Sequence, residues 1–157
     1  MRKARIADEA TSRLDIAATY ARLGDVLETT DLAINYYELD PGDQFGYAVH
    51  RHGDQEEVFV ILEGTVTFET MDDSLTVESG EVIRFARGEF QLGVNKGDEK
   101  VIAFALGAPR DSRELQHYIA CETCGERTVH QLLPTDEGMP FQMECTVCET
   151  ERALDPD

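Results

Sequence analysis

From Leu32 onward, apolar and polar positions alternate in short runs closed by turn residues. Leu32–Leu39 is rich in aromatic and branched side chains and ends at Asp40-Pro41-Gly42-Asp43, a pattern that predicts a strand and a tight turn. Seven further runs follow at close spacing: Tyr47–His52, Val58–Leu62, Thr65–Thr70, Ser74–Val77, Glu81–Phe85, Gln91–Asn95 and Lys100–Leu106. They are punctuated by Glu63-Gly64, Met71-Asp72-Asp73, Ser79-Gly80, Gly88 and Gly97-Asp98. Eight short strands with regular turns predict an all-β sandwich or barrel of the double-sheet jelly-roll kind.

The flanks differ. Residues 1–31 form an N-terminal arm, helical or irregular, in which Ala-rich spacing over Ala7–Leu23 allows one helix that Gly24 would end. Gly107-Ala108-Pro109-Arg110-Asp111-Ser112 breaks the strand pattern. The chain therefore divides into a barrel at 32–110, a linker at 111–120 and a tail at 121–157.

Length and composition narrow the function classes. At 157 residues and 41% hydrophobic content, the chain suits one domain of ordinary size plus a small appendage. Nothing approaches the ~20 consecutive apolar residues of a membrane span. The basic start Met1-Arg2-Lys3-Ala4-Arg5 leads into Asp8 and Glu9 rather than an apolar run, so it reads as no secretory signal and the expected location is cytoplasmic. Asp and Glu number 32 against 14 Lys and Arg, for a net charge of -18, which disfavours nucleic acid and anionic membrane surfaces as partners. The only lysines are Lys3, Lys96 and Lys100. Acid spread along the whole chain points to a solvated, halophilic surface on which high salt screens self-repulsion.

The candidate chemistry centres on His50-Arg51-His52-Gly53-Asp54-Gln55-Glu56-Glu57 and the apolar strand that runs on to Gly64. Alternate residues of a strand share a face, so two imidazoles and a carboxylate five residues on can converge on one metal ion. Read as ordinary strand residues, the same two histidines would have no such role.

These residues resemble the cupin superfamily. Its first motif is H-x-H, three or four residues, Glu, six residues, Gly; here it reads His50-x-His52, four residues, Glu57, six residues, Gly64. Its second is Gly, five residues, Pro-x-Gly, two residues, His, three residues, Asn; here it reads Gly80, five residues, Ala86-Arg87-Gly88, two residues, Gln91, three residues, Asn95. Every spacing holds, but Ala86 replaces the usual proline and Gln91 the usual third histidine. The resemblance covers roughly 32–107. It implies a double-stranded β-helix with a divalent metal held by His50, His52 and Glu57, and Gln91 at the fourth position. Glu57 is preferred to Glu56 because it alone keeps six residues to Gly64.

Two imidazoles and one carboxylate suit non-haem Fe(II), with Mn, Zn, Ni or Cu open as well. Gln91 can offer an amide oxygen, contact bound substrate or water, or stand as a structural amide. The resemblance implies a small-molecule partner, and both dioxygenase and isomerase chemistry occur among such proteins. The alternative is a non-catalytic small-molecule-binding or regulatory module whose tail makes protein contacts. Phe59, Phe68, Phe85 and Tyr47 are expected in the core, Arg84 and Arg87 on the surface. Exposed barrel edges make a homodimer the expected assembly.

The tail carries its own signature. Cys121-Glu122-Thr123-Cys124 and Cys145-Thr146-Val147-Cys148 are C-x-x-C pairs separated by 20 residues, and they use all four cysteines. That spacing matches a structural zinc site in a zinc-ribbon-like domain. A redox dithiol is the other reading, although one pair would suffice for it. About 37 residues make a poor apolar core, so the metal would supply folding energy. His117 and His130 are expected as surface or packing residues rather than zinc ligands. After Cys121 the basic residues are Arg127 and Arg152 alone, again against nucleic acid.

Overall fold

The architecture is that of a computed structural model and is described for residues 1–14, 17–133 and 142–153. The expected strands are present, with edges moved by up to three residues: β3 (Ala33–Leu39), β4 (His50–His52), β5 (Glu56–Glu63), β6 (Thr65–Glu69), β7 (Ser74–Glu78), β8 (Val82–Phe85), β9 (Leu92–Val94) and β10 (Val101–Ala108). The turn between β5 and β6 requires a glycine: Gly64 has φ +76, and a Cβ there would lie 2.6 Å from the Lys100 carbonyl oxygen.

The N-terminal expectation is corrected. In place of one helix over Ala7–Leu23 there are α1 (Ile6–Glu9), β1 (Thr11–Leu14), β2 (Ala17–Arg22) and α2 (Leu23–Leu27), while residues 15 and 16 lie outside the described residues. Gly24 begins a helical turn instead of ending one. Ala17 and Ala21, which looked like helix formers, are buried small residues of a strand, where tertiary packing overrides propensity. The stretch expected as linker, 111–120, contains most of β11 (Leu115–Cys121). The tail continues as β12 (Glu126–Leu133), β13 (Gln142–Cys145) and β14 (Glu151–Ala153); its residues 134–141 and 154–157 lie outside the described residues.

One sheet has the order β1-β2-β3-β10-β5-β8 and a smaller one β7-β6-β9. A third runs β14-β13-β12-β11-β4; the bridge His50↔Gln91 ties its β4 to the residue before β9, and Gln44↔Val94 ties the preceding loop to β9. Along β10 burial alternates strictly, with Val101, Ala103 and Ala105 facing inward as a sheet with one covered face demands. They meet Leu39, Phe59 and Ile61 from the same sheet, Val66, Phe68 and Val77 from the other, and Phe45 from a loop. Phe59 and Phe68 are 2% and 0% exposed, and burying side chains of this size contributes roughly 1.5–3 kcal/mol each. The opposite face of the large sheet is covered by the arm, through a smaller cluster of Ala21, Leu23 and Tyr36 with Ile6, Leu27 and Phe104 against it. Tyr47, expected in the core, is instead 39% exposed, because it precedes β4 in a segment without ladder partners.

Candidate metal centres

β4 places His50 and His52 on one face and Arg51 on the other, where its Nε donates to Gln116 Oε1 at 2.8 Å. Glu57, near the start of β5, comes to the same side; among the described residues, donor atoms of His50, His52 and Glu57 lie within 4.8 Å of one another. Glu56 points the other way and pairs with Arg84 at 3.1 Å, both half-exposed. Arg84 and Arg87 are exposed, as expected. Gln91 enters from the strand opposite: two backbone bonds of 3.0 and 2.8 Å pair it with His50, and its side chain is 1% exposed.

Each imidazole is oriented by its outer nitrogen. His50 Nδ1 lies 2.9 Å from the Ala48 carbonyl, which accepts its proton and leaves Nε2 free to face the site. His52 Nδ1 lies 2.8 Å from Ser112 Oγ, and that hydroxyl donates to Asp54 Oδ1 at 2.7 Å, so Ser112 must accept from His52. Outer partners of this kind orient metal-ligating histidines. Gly46 completes the support, since a Cβ there would lie 2.8 Å from His50 Cε1.

Burial sets the electrostatics. It pushes the Glu57 carboxyl up to about 7, against a lowering bond from Gln91, and pulls His52 down to about 4; His50 is lowered for the same reason. The pocket thus opposes charge on all three groups, and a cation at its centre would reverse that for the carboxylate. His52 Nε2 and Glu57 Oε1 are 3.5 Å apart; Gln91 Nε2 is 2.9 Å from Glu57 Oε2 and 3.2 Å from His50 Nε2. Ligands about 2.1 Å from a metal are separated by about 3.0–3.4 Å in octahedral or tetrahedral geometry, so the donor set has the right size. Gln91 Oε1 is buried without a hydrogen-bond partner. Turning the amide over puts that oxygen where Nε2 stands, facing the imidazole and the carboxylate.

The site opens on a cavity of about 280 Å³ whose wall includes Tyr20, Arg22, Asn35, Gln55 and Arg110 beside the three donors. Tyr20 donates to Asn35 Oδ1 at 3.3 Å, and Arg22 and Arg110 both pair with Asp25. Sequence reasoning missed Tyr20, Arg22, Asp25 and Arg110, which lie outside both motifs and carry no local signal. It also missed Ser112. Asp54, two residues past His52, was the one detectable sign of support for that ring.

The cysteines form a second cluster, with ligand atoms within 4.8 Å of one another. Cys121 Sγ lies 3.6 Å from Cys148 Sγ and Cys124 Sγ 3.9 Å from Cys145 Sγ, against about 3.8 Å along the edge of a tetrahedron with 2.3 Å Zn–S bonds. The two turns match: Gly125 and Glu149 have φ of 73 and 59, and each donates its N–H to the carbonyl of the first cysteine of its pair at 2.9 Å. The Thr128 hydroxyl pulls the Cys145 thiol down to about 5, and Thr150 lowers Cys148. His117 and His130 are 4% and 1% exposed, packing residues rather than surface ones.

The comparisons agree with this architecture. The cupin domain family matches residues 35–107. No curated protein matched the sequence. Among solved structures, a polyketide cyclase from Streptomyces resistomycificus is 20% identical with a TM-score of 0.64, covering 78% of this chain and 88% of its own. A cupin-superfamily sugar phosphate isomerase from Silicibacter pomeroyi is 14% identical with a TM-score of 0.58, covering 92% and 85%. A protein with a double-stranded β-helix domain from Klebsiella pneumoniae is 17% identical with a TM-score of 0.59, covering 73% and 88%. Residues 35–107 of this chain thus match the cupin domain family, and the four-cysteine cluster lies beyond them.

Proposed function

We propose that the protein is a metal-dependent cupin that acts on a small polar molecule, with a structural zinc in its tail. The observation that carries this reading is the convergence of His50 Nε2, His52 Nε2 and the Glu57 carboxylate at the wall of a cavity, with both outer imidazole nitrogens already engaged. A divalent metal held by these residues and Gln91 would supply Lewis acidity to a molecule in the cavity. The chain's own groups do the rest. Tyr20, Asn35 and Gln55 present polar atoms to a ligand in the cavity, and Arg22 and Arg110 place positive charge at its wall. In the metal-free pocket burial brings the Glu57 carboxyl to about 7, so a metal entering the site would displace its proton. The fold neighbours include a cyclase and an isomerase, which supports small-molecule chemistry without choosing a reaction.

Metal content tests this. Two metals per chain are expected, one lost in His50→Ala and the other in Cys121→Ser. A stoichiometry of one that survives His50→Ala sinks the barrel site. The second reading, a binding or regulatory module, is favoured by Gln91, whose neutral amide is a weaker donor than imidazole. A metal-loaded barrel that binds small acids or diols without turnover, and without O₂ uptake when Fe(II) is loaded, would select it.

A further inference from the structure

β4 is three residues long and carries both imidazoles of the barrel site. Its ladder partner is β11, with Leu115 opposite His52 and His117 opposite His50. On its other side its backbone meets the barrel, among the described residues, through the His50↔Gln91 bridge and a bond of 2.8 Å from Gly88 N–H to the His52 carbonyl. β11 ends at Cys121, the first thiol of the cysteine cluster. One seven-residue strand therefore has the barrel histidines beside its start and a cluster cysteine at its end.

The side chains repeat the connection. Gln91, His50, His117, His130 and Cys145 are successive cross-strand partners, and cross-strand partners place side chains on the same face. The rings of His50 and His117 have centroids 5.8 Å apart at 35°. Among the described residues His117 Nδ1 is buried with no hydrogen-bond partner, and the ring packs against His50. His130 Nδ1 meets the Thr128 carbonyl at 3.1 Å, and the Thr128 hydroxyl lies 3.2 Å from Cys145 Sγ. Among the described residues, neither apolar cluster includes anything beyond Ala105. The order of β11–β14 rests on its ladders, a few buried side chains and whatever the four thiolates hold.

We propose that His117 is a positioning residue for the barrel site, and that the cysteine cluster, acting through β11, sets how tightly His50 and His52 hold a metal. This rests on the reading that the barrel binds one. Loss of an outer-shell support typically weakens a metal site 10–100-fold, and a coupling between two sites is reciprocal.

The test uses the full chain with Mn²⁺ as probe for the barrel site. Four proteins are compared: wild type with zinc in the tail, Cys124→Ser/Cys148→Ser, and His117→Ala and His117→Phe with tail zinc retained. Mn²⁺ affinity is expected to fall about tenfold or more in the cysteine variant and in His117→Ala, and to recover in His117→Phe, which restores a ring against His50. The spectrum of Cu²⁺ bound in the barrel should differ between wild type and His117→Ala at matched occupancy, a change that lower stability alone would not produce. If the cysteine variant fails to fold, the two His117 variants carry the test with the tail intact. Equal affinities throughout overturn the proposal but leave the barrel site standing. A His117→Phe variant as weak as His117→Ala overturns positioning, since the imidazole itself would then be needed. A wild type that binds no Mn²⁺ overturns this proposal and the proposed function together.

Discussion

Replacing Gln91 is the most direct probe of the barrel site. Its Nε2 donates to the Glu57 carboxylate at 2.9 Å while its Oε1 is buried without a partner. A bond to a charged group contributes about 1.5–3 kcal/mol, and an unsatisfied buried acceptor costs about 1–3 kcal/mol. Gln91→Leu removes both but leaves the Glu57 carboxylate and His50 Nε2 without the amide, so a net loss on the order of 1 kcal/mol remains. For a chain of 157 residues, a residual of about 1 kcal/mol moves Tm by about 2–4 °C. Metal affinity should respond differently. If the amide oxygen is a ligand, Gln91→Leu weakens binding at least tenfold, about 1.4 kcal/mol. Gln91→His, which puts an imidazole at the same place beside His50 and Glu57, should strengthen it by a similar factor or more. The assay is calorimetric titration of Mn²⁺ or Fe²⁺ into chains whose cysteines are already loaded with zinc, with thermal melts in parallel. Gln91→His no tighter than wild type, together with unchanged binding in Gln91→Leu, would refute the assignment of Gln91 to a ligand position.

Other outcomes are open to measurement. Burial holds the Glu57 carboxyl at about 7 while it lowers His52 to about 4 and His50 below its ordinary value, so near neutral pH Glu57 is the barrel group whose proton a metal must displace. Binding should release about 0.9 proton at pH 6 and about 0.1 at pH 8; calorimetry in buffers of different ionisation enthalpy measures this, and equal release at both would contradict it. In the metal-free chain, a depressed imidazole contributes stability that is present above its unfolded value near 6.5 and lost as pH falls through the folded one, while the raised Glu57 contributes the opposite between about 4.5 and 7. His52 and His117 are both held near 4, so two imidazoles outweigh one carboxyl and Tm should fall on acidification from pH 6.5 to 4. Gly46→Ala forces the His50 ring aside, which should weaken the barrel metal while leaving one zinc per chain in the tail by elemental analysis. With a net charge of -18, thermal stability should rise as KCl goes from tens of millimolar to molar; a flat response argues against a salt-adapted surface.

Most of the barrel was legible because its strands obey a period of two between glycine and aspartate turns, and both motif spacings survive intact. β10 shows the rule at its clearest, with every second residue buried. Glu57 rather than Glu56 could be chosen because it alone keeps six residues to Gly64, and Glu56 pairs with Arg84 instead. The arm was not legible: Ala17 and Ala21 favour helix in isolation, and only the sheet that receives them makes small size the property that matters. Ser112 and Arg110 were unreadable for a related reason, since their partners Asp54 and Asp25 are distant in sequence.

The tail shows where local pattern stops being informative. Two C-x-x-C pairs announce a metal cluster from spacing alone, because each pair needs only its own turn. Nothing in Leu115–Cys121 announces that this segment will pair with His50–His52, because strand pairing between distant segments depends on faces presented by the rest of the fold. His117 and His130 consequently looked like incidental histidines beside a zinc site. The register turns them into a row between two donor sets. A chain with a zinc knuckle merely tethered to a barrel would have no reason to bury them, and one of them carries a sealed nitrogen without a partner. A buried nitrogen without a partner costs stability, so the place of His117 beside His50 is the feature that a purely structural tail leaves unexplained.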